Sequence, residues 1–472
     1  MENNGLNLIM PRVVPVLDPQ FRPAALVSRA FREQVLACGM PVHVRLALEQ
    51  GDGSISCFHT EVFPEGHPRA AANFAYLERL VKFLLWSRGG FRIHFAGPKA
   101  LAEHLQRHFR HTPTGRFDAS LIGQYVYDRP LGVVHVEPAQ IPSERGSARP
   151  LGRHLDGCRI GFDLGGSDRK VAAVMDGRVV FSEETPWDPC PQTNPQYHFD
   201  GIMDSLCKAA AHLPRVDAIG GSAAGIYVNN RVKVASLFRG VPPGLFSERV
   251  KDLFLEVQKA WNGAPLVVVN DGEVAALAGS MALGSDAVLG LAFGTSLAAG
   301  YVMRDGNITS WLNELAFAPV DYRPDAPRDE WSGDYGCGAQ YFSQQAVSRL
   351  LPAAGISVEA KLPLPGRLRF VQELVGQGDR RARKVYQTIG VYLGYAIAHF
   401  ADFYDFDHVL VLGRVTSGEG GSVIIAAAKE VLLIEFPELA KRIAFHVPDE
   451  QDKRHGQAVA AASLPRIEKV QA

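Results

Sequence analysis

Four short segments carry the residue types that could do chemistry. In the first, an apolar run from Ile160 ends in Asp163-Leu164-Gly165-Gly166-Ser167. The glycine pair permits a tight turn, and its bare N–H groups with the Ser167 hydroxyl could face a phosphate. Asp163, at the end of a strand, could hold a hydrated Mg2+. A strand–Gly–Gly–strand hairpin without a ligand has the same pattern. Lys170 could add positive charge near the phosphates, or simply stand solvated on the next strand. The second segment is Leu266-Val267-Val268-Val269-Asn270-Asp271, which opens into small residues as far as Gly279. A carboxylate there can take a proton from a substrate hydroxyl, and Asn270 can hydrogen-bond a neighbouring one. Asp271 as a plain helix cap is the competing reading, and the two roles can coexist.

The third segment, Gly294-Thr295-Ser296, lies between apolar runs at 290–293 and 297–302 and repeats the opening arrangement. The fourth is a Gly-rich loop from Gly413 and Arg414 to Gly421, entered from the apolar run 409–412. Glycines let such a loop lie close against an adenosine, although a strand-to-helix turn needs no ligand. Two hairpins, each opening an α/β half, suggest a duplicated fold with nucleotide in the cleft between the halves.

The elements that must position these residues alternate along the chain. After residue 150, strands at 178–182, 217–225 and 266–269 alternate with helices at 198–211 and 247–261, an α/β pattern. The stretch 138–150 is rich in Pro, Gly and Ser and reads as a linker. Before it, helices are predicted at 24–36, 70–86 and 99–109, with strands at 42–48, 55–63, 91–95 and 132–136. That mixture does not suggest a compact helix-turn-helix. His104, His108 and His111 are predicted on a solvated helix face and the loop after it, rather than at a metal.

A length of 472 residues allows two or three domains, and 47% apolar with 21% charged residues is an ordinary globular balance. A net charge of -1 gives no global attraction to nucleic acid or an anionic membrane. Six cysteines without paired spacing argue against a disulfide framework and fit a reducing cytoplasm. Residues 1–5 lack a basic and an apolar region, so no secretory signal is expected, and no apolar run is long enough to span a bilayer.

In this order the four segments resemble the ROK sugar kinases of the actin-like ATPase superfamily, over about residues 160–464. The resemblance implies an α/β, duplicated, ribonuclease H-like two-lobed fold with an extra N-terminal α+β domain. Residues 1–150 would be that domain and its linker, 151–270 the small lobe and 271–472 the large lobe, with the last helix packing back on the small lobe. It implies ATP-dependent phosphorylation of a sugar or sugar-like hydroxyl, with Asp271 as general base and Mg2+ positioned by Asp163 through water. Gly165, Gly166, Ser167, Gly294, Thr295 and Ser296 would hold phosphates, and Gly413 and Arg414 would meet the nucleotide. Asn270, Glu314, Ser222 and Gly225 would bind the sugar. A homodimer is compatible with the resemblance.

The chain departs from the family between the second phosphate motif and the adenosine motif. Phe317 stands where a His is usual, Ala339 where a sugar-binding Glu is usual, and Arg414 where a Gly is usual. The four zinc positions read Phe317, Glu330, Ser332 and Cys337, which keeps one usual ligand and argues against zinc. These changes keep open a second reading, a non-catalytic sugar- or nucleotide-binding regulator derived from a ROK kinase.

Overall fold

The computed structural model describes residues 5–146, 151–447 and 450–467, and for 450–455 the backbone only. The last four residues of the expected linker, 147–150, lie outside the described residues. Its earlier part is tied down. Ile55 and Arg145 exchange backbone hydrogen bonds of 2.8 and 3.0 Å, so the chain runs beside the first hairpin before leaving it.

Three main sheets follow in chain order. The N-terminal one has strand order β2-β1-β3-β4, from β1 (Val42–Glu49), β2 (Ile55–Val62), β3 (Arg92–Ala96) and β4 (Gly132–His135). The second runs β11-β8-β5-β6-β7, from β5 (Cys158–Leu164), β6 (Asp168–Met175), β7 (Arg178–Pro186), β8 (Ala218–Ala223) and β11 (Leu266–Asn270). A hairpin of β9 (Ile226–Val228) and β10 (Arg231–Val234) stands beside it. The third runs β13-β12-β14-β15, from β12 (Val288–Phe293), β13 (Leu297–Val302), β14 (His408–Leu412) and β15 (Ala444–His446). In the second and third sheets an antiparallel hairpin is joined to parallel strands, as a duplicated fold requires.

Small residues let helices lie directly on these sheets. The closing helix Glu450–Ala462 crosses β5 and β8 where Gly161 and Gly220 carry no side chain. A Cβ at Gly161 would sit 1.7 Å from the Ala458 carbonyl oxygen. Gly161→Ala should therefore cost about 1–3 kcal/mol of stability through overpacking, read as a lower denaturation midpoint.

The N-terminal unit does not stand apart. Its helices Ala24–Ala37 and Ala72–Arg88 share one apolar core with the third sheet and the helix Arg380–Phe400. The segment before Ala24 is pinned across that helix, with Asp18 accepting from the Tyr392 hydroxyl at 2.7 Å and pairing with Arg323 at 3.1 Å. The expected division near residue 150 is thus a division between sheets, while the core runs across it.

Two other expectations change. The stretch 247–261 is broken into a π-turn Phe246–Val250 and a helix Leu253–Ala260. Val232 takes the Lys251 carbonyl at 3.0 Å, which removes an acceptor from the helical ladder. His108 is buried rather than solvated, with Nε2 3.5 Å from Glu78, and His104 stacks on Phe74. The four-residue spacing turns both rings toward the Ala72–Arg88 helix. His111 stays exposed.

Candidate functional site

Parallel register brings the site residues to one edge of the second sheet. Across β5 and β8, Asp163 pairs with Ser222 and Leu164 with Ala223, and Ala223 pairs in turn with Asn270 of β11. Carboxyl ends of parallel strands are where open α/β sheets bind ligands. In the third sheet β12 and β14 are also parallel, so Gly294 and Gly413 leave the same edge. Gly413 has φ 94°, and a Cβ on it would lie 2.5 Å from the Phe293 carbonyl oxygen.

Asp271 opens the helix Asp271–Leu283, and the cap is its neighbour. Asn270 Oδ1 accepts from the Gly272 N–H at 2.7 Å, while Nδ2 donates to the Gly225 carbonyl at 2.7 Å. Asn270 thereby fixes both the turn that opens the Asp271 helix and the Gly225 loop. Asp271 stays half-buried, and its carboxyl is pushed up to about 6 by burial and then by the charge of Asp163. Burial also raises Asp163, opposed in part by the hydrogen bond from Ser222 and the charge of Lys170.

Ser222 is fully buried and donates to Asp163 Oδ1 at 2.6 Å. Its hydroxyl orients Asp163 and is not turned to a sugar, contrary to the role implied by resemblance. Lys170 is not simply solvated, with Nζ 3.3 Å from Asp168 and 3.9 Å from Asp163. The Gly165 N–H closes its own hairpin on the Asp168 carbonyl at 2.9 Å, and the Gly294 N–H does the same on Ser296 at 2.9 Å. Gly166, Ser167, Thr295 and Ser296 remain exposed at the two tips. Ser167 Oγ donates to Asp168 at 2.9 Å. Arg414 is exposed, and no described residue pairs with its guanidinium.

Glu314 is positioned by the N-terminal unit. The helix Ala72–Arg88 ends with free carbonyls, as every helix does. Two of them accept from the segment that carries Glu314: Trp86 from the Glu314 N–H and Ser87 from the Asn313 N–H, each at 2.9 Å. The Glu314 carboxyl is pushed up to about 7 by burial and by Asp271. Glu314, Asn270 and Gly225 line a cavity of about 540 Å3 that the N-terminal unit also walls. Sequence reading missed Glu273, buried two residues beyond Asp271 with its carboxyl raised to about 8 by burial, and Asn313, which donates to it. A lone Glu within a small-residue helix was the available signal for Glu273; nothing local marks Asn313.

The positions that depart from the ROK pattern lie in different surroundings. Phe317 packs its ring 4.3 Å from Trp86, and Ala339 is buried in the shared core. Glu330 is exposed, Ser332 Oγ donates to Asp329 at 2.8 Å, and Cys337 is buried. Among the described residues, no three of His, Cys, Asp or Glu are grouped to hold a metal. Beside Cys337 lies a buried charge network instead. Asp334 pairs with Arg79 at 2.9 Å and Lys82 at 3.0 Å, and Lys82 also pairs with Asp118 at 2.9 Å.

No protein-family model matches the chain, and no curated protein matches its sequence. Solved structures do match. The ROK hexokinase from Thermus thermophilus superposes with a TM-score of 0.51 at 19% identity, over 65% of this chain and 96% of that one. The fold is that of the ROK sugar kinases. A ROK family transcriptional regulator, a homologue of the E. coli MLC protein, matches the same fold with a TM-score of 0.50 at 20% identity, over 66% of this chain and 79% of that one. A ROK family glucokinase from Streptomyces griseus, in complex with glucose and AMPPNP, superposes with a TM-score of 0.46 at 22% identity, over 65% of this chain and 98% of that one. About a third of this ROK-fold chain lies beyond the matched part. Among the described residues no helix is long and apolar enough to cross a membrane.

Proposed function

We propose that this chain is an ATP-dependent carbohydrate kinase of the cytoplasm. The observation that carries the reading is the placement of Asp271 where β11 ends, next to Asn270 and near Asp163, with its carboxyl pushed up to about 6 by burial and by the charge of Asp163. A general base works best when its pKa lies near the working pH. Asp271 would take the proton of the sugar hydroxyl as that oxygen attacks the γ-phosphate in line. Asn270, Glu314 and the Gly225 loop would hold neighbouring hydroxyls. The exposed tips at Gly165, Gly166 and Ser167 and at Gly294, Thr295 and Ser296 would face the phosphates. The unpaired Arg414 beside Gly413 would add positive charge there. A buried carboxylate beside a phosphate site fits a magnesium ion, which usually takes one or two carboxylates and keeps several waters. Asp163 would hold it through water, and the ion would screen charge on the phosphates. Phosphoryl transfer depends mostly on positioning and charge stabilisation, so this set is sufficient.

One observation favours a second reading. Phe317 and Ala339 lie in apolar packing, so two usual sugar contacts are gone, which suits a binding regulator without turnover. ADP release from Mg-ATP across a panel of sugars, amino sugars and polyols tests both. Turnover with any of them supports the kinase, and tight sugar binding without turnover sinks it.

A further inference from the structure

Only part of the cavity belongs to the ROK-like lobes, since Gln50, Gly51, Asp52 and Tyr127 of the N-terminal unit also line it. Its inner end holds Asn270, Glu314 and Gly225, where the phosphorylated ring would sit. It then continues along the free edge of β11, past the β9–β10 turn, to the tip of the β1–β2 hairpin and Ser310. A volume of about 540 Å3 suits a ligand larger than a single hexose ring.

The outer wall is fixed in place. At the hairpin tip, Gln50 is buried, donates to the Arg88 carbonyl at 2.6 Å and accepts from the Ser54 hydroxyl at 2.6 Å. Ser310 reaches the same Gln50 oxygen at 3.3 Å, which ties the hairpin to the large lobe. Asp52 uses one oxygen, Oδ1, to hold the turn through the Ser54 N–H at 2.9 Å. Among the described residues its other oxygen has no hydrogen-bond partner. Across the cavity, Asn229 is exposed at the β9–β10 turn with φ 52°, and no described residue bonds its amide. Asn230 behind it secures the wall, donating to the Leu266 carbonyl at 2.6 Å and accepting from the Val268 N–H at 2.9 Å. The acidic residues lining the cavity are Asp52, Glu273 and Glu314, and no Lys, Arg or His joins them.

We propose that the N-terminal unit completes a second sugar subsite, so that the acceptor is a disaccharide-sized saccharide, neutral or amino-bearing, rather than a free monosaccharide. This rests on the kinase reading for turnover, while binding tests it independently. Asp52, Asn229 and Ser310 would contact the second ring, and a lining with the Asp52 carboxylate and no cationic side chain would disfavour an anionic one.

The experiment compares glucose, mannose and N-acetylglucosamine with maltose, mannobiose and chitobiose. It reads kcat/KM for Mg-ATP-dependent phosphorylation and, separately, binding by calorimetry. In the wild type the best disaccharide should exceed its own monosaccharide at least tenfold. Ser310→Trp, at an exposed position, should fill the outer end and lower that ratio at least tenfold, and Asn229→Ala should lower it about threefold. A ratio at or below one in the wild type, or one that Ser310→Trp leaves unmoved, overturns the subsite. If no sugar is turned over, tighter disaccharide binding that Ser310→Trp weakens keeps the subsite and removes the kinase reading. Equal binding of the two sugar sizes overturns the subsite.

Discussion

Asp271→Asn is expected to lower sugar phosphorylation by about 10²–10⁴-fold in kcat, the usual contribution of a positioned general base. The substitution keeps the side-chain size and the oxygen that accepts from the Gly272 N–H at 3.0 Å, so the turn should survive. Sugar binding should move much less than turnover. In the wild type, kcat/KM should rise with pH through about 6, as the carboxyl loses its proton, and then level off. The variant should lack that limb. Stability gives a second signature with the opposite sense. The folded-state pKa is raised above the ordinary carboxylate value, so the folded form holds more protons in the window from the unfolded value up to about 6. Its stabilising contribution is complete below that window and is lost as pH rises through it. Asp271→Asn should therefore raise the denaturation midpoint above about pH 7 relative to wild type, by more than it does near pH 4. Unchanged turnover in the variant would remove the base role, whatever the stability result.

Lys82→Met is expected to cost about 3–5 kcal/mol of stability, because it leaves buried charge without its partner. Lys82 is 1% exposed, and its partners Asp118 and Asp334 are 0% and 1% exposed. Burial alone would depress the ammonium pKa, but the two carboxylates hold it above the ordinary lysine value. Asp334 is held well below the usual carboxylate range by Arg79 and Lys82, against its burial. Removing both members of a buried pair costs less than removing one. Lys82→Met with Asp118→Leu should thus be less damaging than Lys82→Met alone, in a denaturant titration at neutral pH. The reverse order would mean that packing around the lysine stem dominates. The site should feel the loss too. The network fixes the Ala72–Arg88 helix against the segment around Asp334, and the end of that helix holds Glu314 through the Trp86 carbonyl. Destabilised variants should therefore lose sugar affinity before they lose the second sheet.

The chemistry-bearing turns were legible in the sequence because each is local. A strand ending in Asp163-Leu164-Gly165-Gly166-Ser167, its echo at Gly294-Thr295-Ser296, and Asn270-Asp271 before a small-residue helix each set their own backbone path. Their order carried the fold, since period and turn chemistry are written within a few residues of each element. Local patterns could not assign partners across the chain. Ser222 looked like a sugar contact until parallel register set it against Asp163. Asn270 looked like a free amide until the structure set its oxygen on the Gly272 N–H and its nitrogen on the Gly225 carbonyl, which leaves one N–H and one lone pair for a ligand. The N-terminal unit read as a separate α+β domain because a polar stretch follows it. Only the tertiary structure showed that its core is continuous with the large lobe, that its helix end holds Glu314, and that its first hairpin walls the cavity. Those relations join residues hundreds of positions apart, such as Arg79 with Asp334 and Gln50 with Ser310. The sequence by itself determined the two glycine turns and the strand end that carries Asp271. What lines the cavity was decided by packing between distant segments, for which no local pattern exists.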